Sequence, residues 1–260
     1  MNAMKDSAGT LAGERRGHVL SDGRYRVLLT DRGTGMSACG PLALTRWAGD
    51  RLADAEGFFL YVRERSGAFW SATARPNPGA CEAVFTEGLA TFRREERGLA
   101  ATLEVALVPG RDAELRRLTL ENRRGEAVDL DVTSCLEAVL NHLDADRAHP
   151  AFSKLFVETF WRPGSRALLA RRRPRGADEQ AVWMAHWVAE APEGELSHES
   201  ERAAFLGRGR TLAEPAALAT PGPLGGHTGA VLDPLLALRQ TLRLEAGERR
   251  AFTVGLATGD

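Results

Sequence analysis

Apolar and polar residues alternate with a period of two along much of this chain, and no other feature constrains its fold as strongly. In RYRVLLT (24–30) the alternate residues Tyr25, Val27 and Leu29 are apolar, and TLEVALV (102–108) and VDLDVTS (128–134) repeat the pattern. Successive side chains of a strand point to opposite faces, so each segment predicts a strand with one face on a core and the other in solvent. Turn residues recur between these short strands, which predicts an all-β fold, a large antiparallel sandwich.

Two stretches have the composition of β-hairpins. LTLENRRGEAVDLDV (118–132) turns around Gly125, and the turn EAGE (245–248) separates apolar Leu242 and Leu244 from the alternating segment 252–256. Helical spacing of apolar residues occurs only briefly, between Leu136 and Leu143. We therefore predict two hairpins and little helix.

The boundaries within the chain are weak. Residues 1–20 are polar and predict a disordered tail, and residues 21–260 predict one β super-sandwich domain. The segments RPRGADEQ (173–180) and LAEPAALATPGPLGGHTG (212–229) are rich in turn residues, which predicts long surface loops.

Composition excludes several classes of function. The net charge of −1 argues against a nucleic-acid partner, and no apolar run approaches the ~20 residues of a membrane span, so we expect no direct membrane insertion. Three widely spaced cysteines without a C-x-x-C pair predict neither disulfides nor a zinc site. No secretory leader is evident and the cysteine usage favours a reducing compartment; we also predict no cofactor and no metal.

Short polar motifs carry little chemistry by themselves. GTG (33–35) lacks the Lys-Ser/Thr of a phosphate-binding loop and predicts a turn. NHLDADRAH (141–149) contains two histidines and two aspartates that suit a divalent cation, but the spacing favours a solvated loop with helix-capping aspartates. No G-x-S-x-G occurs, and nothing singles out a carboxylate pair for glycoside chemistry.

The tryptophans divide by their neighbours. VWMAHW (182–187) places Trp183, Ala185 and Trp187 on one face, which predicts core packing. Trp47 and Trp70 stand beside polar residues, which makes them the better candidates for exposure and for stacking on sugar rings.

The stretch DGRYRVLLTDRGTGMS…ALTRW (22–47) resembles the opening of the β-sandwich domain of glycoside hydrolase family 94, most closely that of bacterial cyclic β-1,2-glucan synthases. That family typically reads N-G-R-Y, then T-x-x-G-x-G-Y-S, then A-x-T-R-W. Here Asp22 replaces the usual Asn, and Met36 replaces an aromatic residue, which weakens any contact that the ring makes. Further matching segments follow in order: FFLYVRERSGAFWSATARP (58–76), AHPAFSKLFVET (148–159), RRRPRG (171–176), RAAFLGRGR (202–210) and GAVLDPLLALRQTLRL (229–244).

The resemblance implies a galactose-mutarotase-like super-sandwich that precedes an (α/α)₆ barrel. In the family, the barrel carries the catalytic acid and the phosphate or acceptor site, while the sandwich helps to enclose the substrate, binds carbohydrate and makes subunit contacts. No helix-rich segment is present here to supply the catalytic carboxylate. The resemblance therefore implies an accessory domain that is not catalytic alone. It also implies a cytoplasmic location, with an inner-membrane-associated parent enzyme where that parent is a glucan synthase.

Three functions remain open from the sequence. The first is a carbohydrate-binding module of a β-glucan-processing glycosyltransferase or phosphorylase, with a β-glucan or gluco-oligosaccharide and the barrel as partners. The second is a structural module, possessing no sugar affinity, that forms a homodimer through an exposed apolar patch. The third is a mutarotase-like epimerase, which requires a histidine and a carboxylate converging in a cleft, a pairing that the sequence does not reveal.

The first function makes five residues candidates for sugar binding. The tryptophans would stack on sugar rings, and the arginines would donate paired hydrogen bonds to hydroxyl groups or to a carboxylate of the barrel. For the arginines, the alternative is a salt bridge that ties loops to the sandwich. The candidates are Arg46, Trp47, Trp70, Arg208 and Arg210.

Overall fold

Two antiparallel β-sheets pack face to face in the computed structural model, which describes residues 15–50, 54–174, 176, 180–190 and 194–259. The strands are β1 (Gly17–Ser21), β2 (Tyr25–Thr30), β3 (Gly35–Cys39), β4 (Leu42–Thr45), β5 (Phe59–Glu64), β6 (Phe69–Ser71), β7 (Glu82–Thr86), β8 (Leu89–Glu96), β9 (Leu99–Leu107), β10 (Ala113–Asn122), β11 (Val128–His142), β12 (Val157–Arg162), β13 (Ala167–Arg172), β14 (Val182–Glu190), β15 (Leu196–Glu201), β16 (Pro234–Leu244) and β17 (Arg249–Gly259). The short helices are α1 (Leu143–Ala148), α2 (Pro150–Lys154), α3 (Arg202–Leu206) and α4 (Ala216–Ala219), with one 3₁₀ turn at Pro163–Ser165. The predicted all-β sandwich is confirmed.

One sheet has nine strands and the other has eight. The nine-stranded sheet runs β1-β2-β3-β4-β11-β16-β15, and β5 pairs with the first half of β11 and with β6. The eight-stranded sheet runs β12-β13-β14-β17-β10-β9-β8-β7. Strand β11 is the longest element, and it pairs with β5 and then with β4 along one edge.

The main core fills the space between the sheets. Alternate residues of β11 and β16, such as Val132 and Leu238, meet Leu118 and Phe252 from the eight-stranded sheet in one buried cluster. A small polar group shares this layer, because His186 of β14 is fully buried against β11. The core is therefore aliphatic at most positions but contains polar contacts between the sheets.

The nine-stranded sheet is buried on both faces around β5, β11 and β16. The residues of β5 are buried at every position, and β16 is buried from Pro234 to Gln240 without alternation. A second apolar cluster lies on the outer face, where Phe205, Leu212 and Leu218 pack against the sheet. The prediction that each sheet has one solvent face is wrong here, because the segment 202–224 covers the sheet.

Part of the predicted surface loop at 212–229 therefore belongs to the segment 202–224, which we call the cover. Tyr61 Oη donates to the carbonyl of Leu212 at 2.8 Å, and Arg63 Nε donates to that of Leu218 at 2.9 Å. Arg239 is 2% exposed and donates to the carbonyls of Ala217 and Gly222, each at 2.7 Å. Side chains of the sheet therefore hold the cover by its backbone, and apolar positions alone do not reveal this arrangement.

Both predicted hairpins are wrong. The first predicted hairpin connects β10 of the eight-stranded sheet to β11 of the nine-stranded sheet. The second connects β16 to β17 and also passes between the sheets. Asn122 joins the two crossings, since its side-chain amide donates to the carbonyls of Glu126 and Glu245 at 2.8 and 3.0 Å. Short turn-rich connections suit a sandwich corner as well as a hairpin, so the pattern did not distinguish them.

The remaining predictions are mixed. The residues with helical spacing before Leu143 belong to β11, whose register shifts between Ala138 and Asn141. The sheet begins at Gly17, ahead of the predicted boundary at Ser21, while residues 1–14 of the predicted tail and most of 175–179 lie outside the described residues. Among described residues the three cysteines are free, and no helix has the length and apolarity needed to cross a bilayer.

Candidate functional site

Trp47 lies between two cavities at one end of the nine-stranded sheet. It lies two residues after the end of β4 and is half-buried, and its ring lies beside Gly49. The larger cavity has a volume of about 260 Å³, the smaller one has about 200 Å³, and both are lined by Trp47, Ala48 and Glu56. We call the two cavities together the Trp47 groove.

Alternating charges form the floor and walls of this groove. Arg46 holds Asp146 of α1 through two nitrogens at 2.8 and 3.2 Å, and its Nε lies 3.3 Å from Glu137 of β11. Glu137 also accepts from Arg202 at 2.6 Å. Asp233 continues the chain of ion pairs, 3.7 Å from Arg202 and 2.6 Å from Lys154 of α2.

This network brings together segments that are far apart in sequence. Arg46, Lys154 and Arg202 each lie in one of the segments that resemble family 94, as does Asp233. Glu137 and Asp146 are almost fully buried, with side chains 7% and 5% exposed. Buried carboxylates of this kind require their partners, so the network fixes the walls of the groove.

Three of the five candidate residues line the groove, namely Arg46, Trp47 and Arg210. Trp47 presents part of its ring there, and Arg210 lines the larger cavity. Arg208 and Arg210 are exposed, and neither has an ion-pair partner within the described ranges. Arg46, in contrast, is engaged with Asp146 and Glu137, as the salt-bridge alternative predicted.

Trp70 is not an exposed residue, and that prediction is wrong. Its ring is 4% exposed and belongs to the core between the sheets, with the Arg94 guanidinium 5.6 Å from the ring centre. Trp70 and its polar neighbour Ser71 both belong to β6, which pairs with β5 in the sheet, and Ser71 is buried as well. A buried ring offers no face to a sugar, so Trp70 leaves the candidate site.

The tryptophans predicted to be core lie outside it. In β14 the residues that enter the core are Met184, His186 and Val188, while Trp183 and Trp187 are half-buried on the outer face of the eight-stranded sheet. His186 takes the inner position because Ser134 and the carbonyl of Gly255 satisfy both of its ring nitrogens. Burial lowers the pKa of His186 to about 4, so the ring is neutral in the core.

The GTG motif forms the predicted turn. It connects β2 to β3, and both glycines have positive φ. A Cβ on Gly33 would lie 2.3 Å from Thr73, and one on Gly35 would lie 1.9 Å from the carbonyl oxygen of Leu28. Both positions therefore exclude a side chain, and the motif has a structural role.

The NHLDADRAH segment shows no cation site. Asp146 is buried against Arg46, whereas His142, Asp144 and His149 are exposed. Within the described ranges, no group of three or more metal-ligating side chains converges.

A histidine–carboxylate pair that the sequence did not reveal joins His227 to Glu199. Nδ1 of His227 lies 2.8 Å from Glu199 Oε2, at a cavity of about 340 Å³. The carboxylate is buried, and its other oxygen accepts from the backbone amides of Ser200 and Glu201. The hydrogen bond from His227, together with the charge of Glu199, raises the pKa of the imidazole. Such a pair can orient a general base, but here it also fastens the loop at His227 to β15.

The chain is similar to known carbohydrate-processing proteins over most of its length. The family model described as the glycosyl hydrolase 94 supersandwich domain matches residues 9–260. The chain is 35% identical over 242 residues to the cyclic β-(1,2)-glucan synthase NdvB of Rhizobium meliloti (strain 1021), covering 91% of this chain and 8% of that protein. It is 24% identical over 222 residues to the N,N'-diacetylchitobiose phosphorylase of Vibrio furnissii, covering 83% of this chain and 27% of that protein. The chain thus spans a small part of both relatives.

A solved structure shares the architecture. The crystal structure of an Escherichia coli K12 protein described as an aldose 1-epimerase superposes with a TM-score of 0.53 at 11% identity, covering 95% of this chain and 99% of that one. At this identity the likeness shows the fold alone. The sandwich is therefore of the galactose-mutarotase-like kind that the resemblance implied.

Proposed function

The chain belongs to the glycosyl hydrolase 94 supersandwich family, and from this premise we propose that it is the carbohydrate-binding accessory domain of a β-glucan-processing glycosyltransferase or glycoside phosphorylase. In this proposal the Trp47 groove meets a gluco-oligosaccharide, and a separate (α/α)₆ barrel performs the chemistry. In this proposal the domain works in the cytoplasm.

The position of Trp47 is the observation that carries this proposal. It is a half-buried indole at the junction of two cavities, and Arg46 beside it is fixed by two carboxylates. A ring held in place loses little conformational freedom when a ligand stacks on it. The polarised C–H groups of a sugar face suit such a ring, at about 1 kcal/mol by analogy with aromatic pairs.

Polar groups at the groove can supply the hydrogen bonds that orient a sugar. Arg210 is exposed at the larger cavity and has no ion-pair partner in the described part of the chain, so its donors are available to hydroxyl groups. Glu56 lines both cavities and contributes acceptors. Arg46 acts differently, because its donors already serve Asp146 and Glu137 and it closes the wall of the smaller cavity.

Calorimetric titration with β-1,2- and β-1,4-linked gluco-oligosaccharides tests the groove. We expect saturable binding to the wild-type chain, and Trp47→Ala and Arg210→Ala should weaken it by about tenfold each. Phe152→Ala is the matched control, since it removes an exposed aromatic ring outside the groove and should leave the affinity unchanged. Absence of binding at millimolar ligand, or equal affinity for Trp47→Ala and wild type, would refute the proposal.

An exposed apolar patch favours a second function, that of a scaffold. Phe152, Leu155 and Leu232 are 55%, 46% and 73% exposed, and Lys154 and Asp233 link the two segments that carry them. The relatives are several times longer than this chain, so the remainder of such an enzyme, the barrel above all, is the partner that this patch suits.

Light scattering after gel filtration tests the scaffold. The isolated chain should self-associate through the uncovered patch, and Leu232→Ser combined with Phe152→Ser should return it to a monomer. If the wild-type chain is monomeric at high concentration and a co-expressed barrel does not bind it, the patch has no docking role. Sugar titration of the same double variant separates this function from the first.

A further inference from the structure

We propose a second carbohydrate-binding surface on the outer face of the eight-stranded sheet, formed by Trp183, Ala185 and Trp187 of β14 and here named the outer Trp face. It lies on the other sheet from the Trp47 groove and does not depend on that groove for its argument. Its ligand is a neutral, extended β-glucan chain that stacks its sugar rings on the two indoles.

The first argument is the way in which Trp187 lies on the sheet. Gly255 is its cross-strand neighbour on β17, and a Cβ there would lie 2.2 Å from Cζ2 of the indole. The ring therefore rests flat on the backbone of Gly255, in space that any other residue would occupy. One face of the indole is used by this contact, and the residue is only half-buried on the outer face of the sheet.

The second argument is the arrangement of Trp183. Its ring centre is 5.8 Å from that of Phe160, and the Arg171 guanidinium lies 5.2 Å from the indole. These contacts hold the ring at a fixed angle, while its other cross-strand neighbour, Gly259, has open space above it. Fixed aromatic rings bind with little loss of side-chain entropy.

The third argument is the flat, small-residue surface between the indoles. Ala185 separates them on β14 and faces Ala257 of β17. Four residues of a strand span about 13 Å, so the two rings lie far enough apart for a short run of linked sugars to contact both. On the outer face between the indoles, β14 and β17 carry no side chain larger than alanine, which suits an extended chain rather than a single sugar.

Charge decides between a glucan and other partners. Arg171 is neutralised by Glu158 at 2.6 Å, and the neighbours of Trp187 on both adjacent strands are Ala167 and Gly255. Among the described residues, the charge that flanks the indoles is thus paired, and such a face attracts a nucleic acid or an acidic peptide weakly. It matches an uncharged ligand whose hydroxyl groups reach outward to solvent and to the flanking Arg171–Glu158 pair.

Native gel electrophoresis with glucan in the matrix tests this surface. The probes are a linear β-1,2-glucan and a soluble β-1,4-glucan, hydroxyethyl cellulose. We expect at least one to slow the wild-type chain in proportion to its concentration, and Trp187→Ala and Trp183→Ala to weaken this retardation by about tenfold each. Val84→Ser, on β7 at the far edge of the same sheet, should migrate as wild type.

A second variant guards against loss of fold. Ala185→Glu leaves both indoles in place but sets a charged side chain between them. In a Trp47→Ala background, where the groove does not contribute, it should abolish retardation with an unchanged near-UV circular dichroism spectrum. Trp47→Ala should retain the retardation, so failure of the groove and failure of the outer Trp face are distinguishable. The proposal is overturned if neither glucan slows the wild type, or if Trp187→Ala and Ala185→Glu migrate as wild type. It is equally overturned if these variants abolish only self-association, which would make the face a protein interface.

Discussion

The two sheets of this sandwich differ in what covers their outer faces. The outer face of the nine-stranded sheet lies beneath the segment 202–224, which adds a second apolar cluster around Phe205 and Leu218. The outer face of the eight-stranded sheet alternates in burial along β9 and β14 and carries Trp183 and Trp187 toward solvent. Buried arginines accompany the covered face, whereas fixed aromatic rings accompany the open one.

This difference follows from the backbone of the cover. An irregular segment laid on a sheet buries carbonyl groups that no strand partner satisfies, and each unsatisfied group costs about 1–3 kcal/mol. Tyr61, Arg63 and Arg239 supply the missing donors. The open face has no such requirement, and its outward side chains on β14 stay partly exposed. The buried polar side chains beneath the cover and the partly exposed tryptophans on the other sheet both reflect where the cover lies.

Truncating one tryptophan from each environment should give the largest contrast. Trp70→Ala removes a ring that is 4% exposed from the main core, and we expect a loss of about 4 kcal/mol in the free energy of unfolding. Trp187→Ala removes a half-buried ring from the open face, at about 1–2 kcal/mol. Urea denaturation measures both. Equal losses would contradict the placement of the two rings on opposite sides of the core boundary.

The all-β class was predictable because strand alternation depends on local sequence alone. Which face of a strand enters the core was less so, since that depends on partners from distant segments. In β14 the larger apolar residues, Trp183 and Trp187, lie on the outer face of the sheet. His186 faces the core because Ser134 of β11 and the carbonyl of Gly255 of β17 form hydrogen bonds with its ring. A histidine without visible partners in the sequence looks like a surface residue. The alternation was therefore detected correctly and its direction was assigned wrongly.

The candidate site shows the same limit. Trp47 was identified from its motif, but the partner that holds Arg46 beside it is Asp146, 100 positions later in the chain. Glu199 and His227 are likewise separated by 28 positions and meet only because the loop after α4 returns to β15. Such pairs are set by the path of the chain between sheets, and that path was mispredicted where two crossings had the composition of hairpins.

Arginines offer the next contrast between the sheets. Arg239→Ala removes donors to Thr133, Ala217 and Gly222 beneath the cover, and we expect a loss of about 3 kcal/mol because these acceptors stay buried. Arg117→Ala, on the open face of β10, should change the free energy of unfolding by less than about 0.5 kcal/mol. Hydrogen exchange should localise the first effect to the amides of the segment 211–222. A small, uniform change for Arg239→Ala would show that the cover is held by its apolar residues alone.

The smallest expected effect is the pH dependence of stability that His186 causes. This residue is hydrogen-bonded to both sheets. Its Nε2 accepts from Ser134 of the nine-stranded sheet at 2.7 Å, and its Nδ1 donates to Gly255 of the eight-stranded sheet at 2.9 Å. Burial lowers its pKa to about 4, and the positive charge of Arg116 acts in the same direction. Below pH 6.5 the unfolded chain takes up a proton that the folded chain refuses until about pH 4, so stability falls as the pH falls through this window.

Comparison of His186→Gln with wild type isolates this contribution from that of the carboxylates. Between pH 8 and pH 5 the wild type should lose about 2 kcal/mol more than the variant, measured by urea denaturation at each pH. For His227→Gln the difference in stability from the wild type should change with pH in the opposite direction. The hydrogen bond to Glu199 raises the pKa of His227, so its stabilising effect is present at low pH and is lost as the pH rises. If wild type and His186→Gln lose stability equally, then His186 is accessible to protons in the folded state. That outcome would contradict the burial of His186 between the two sheets.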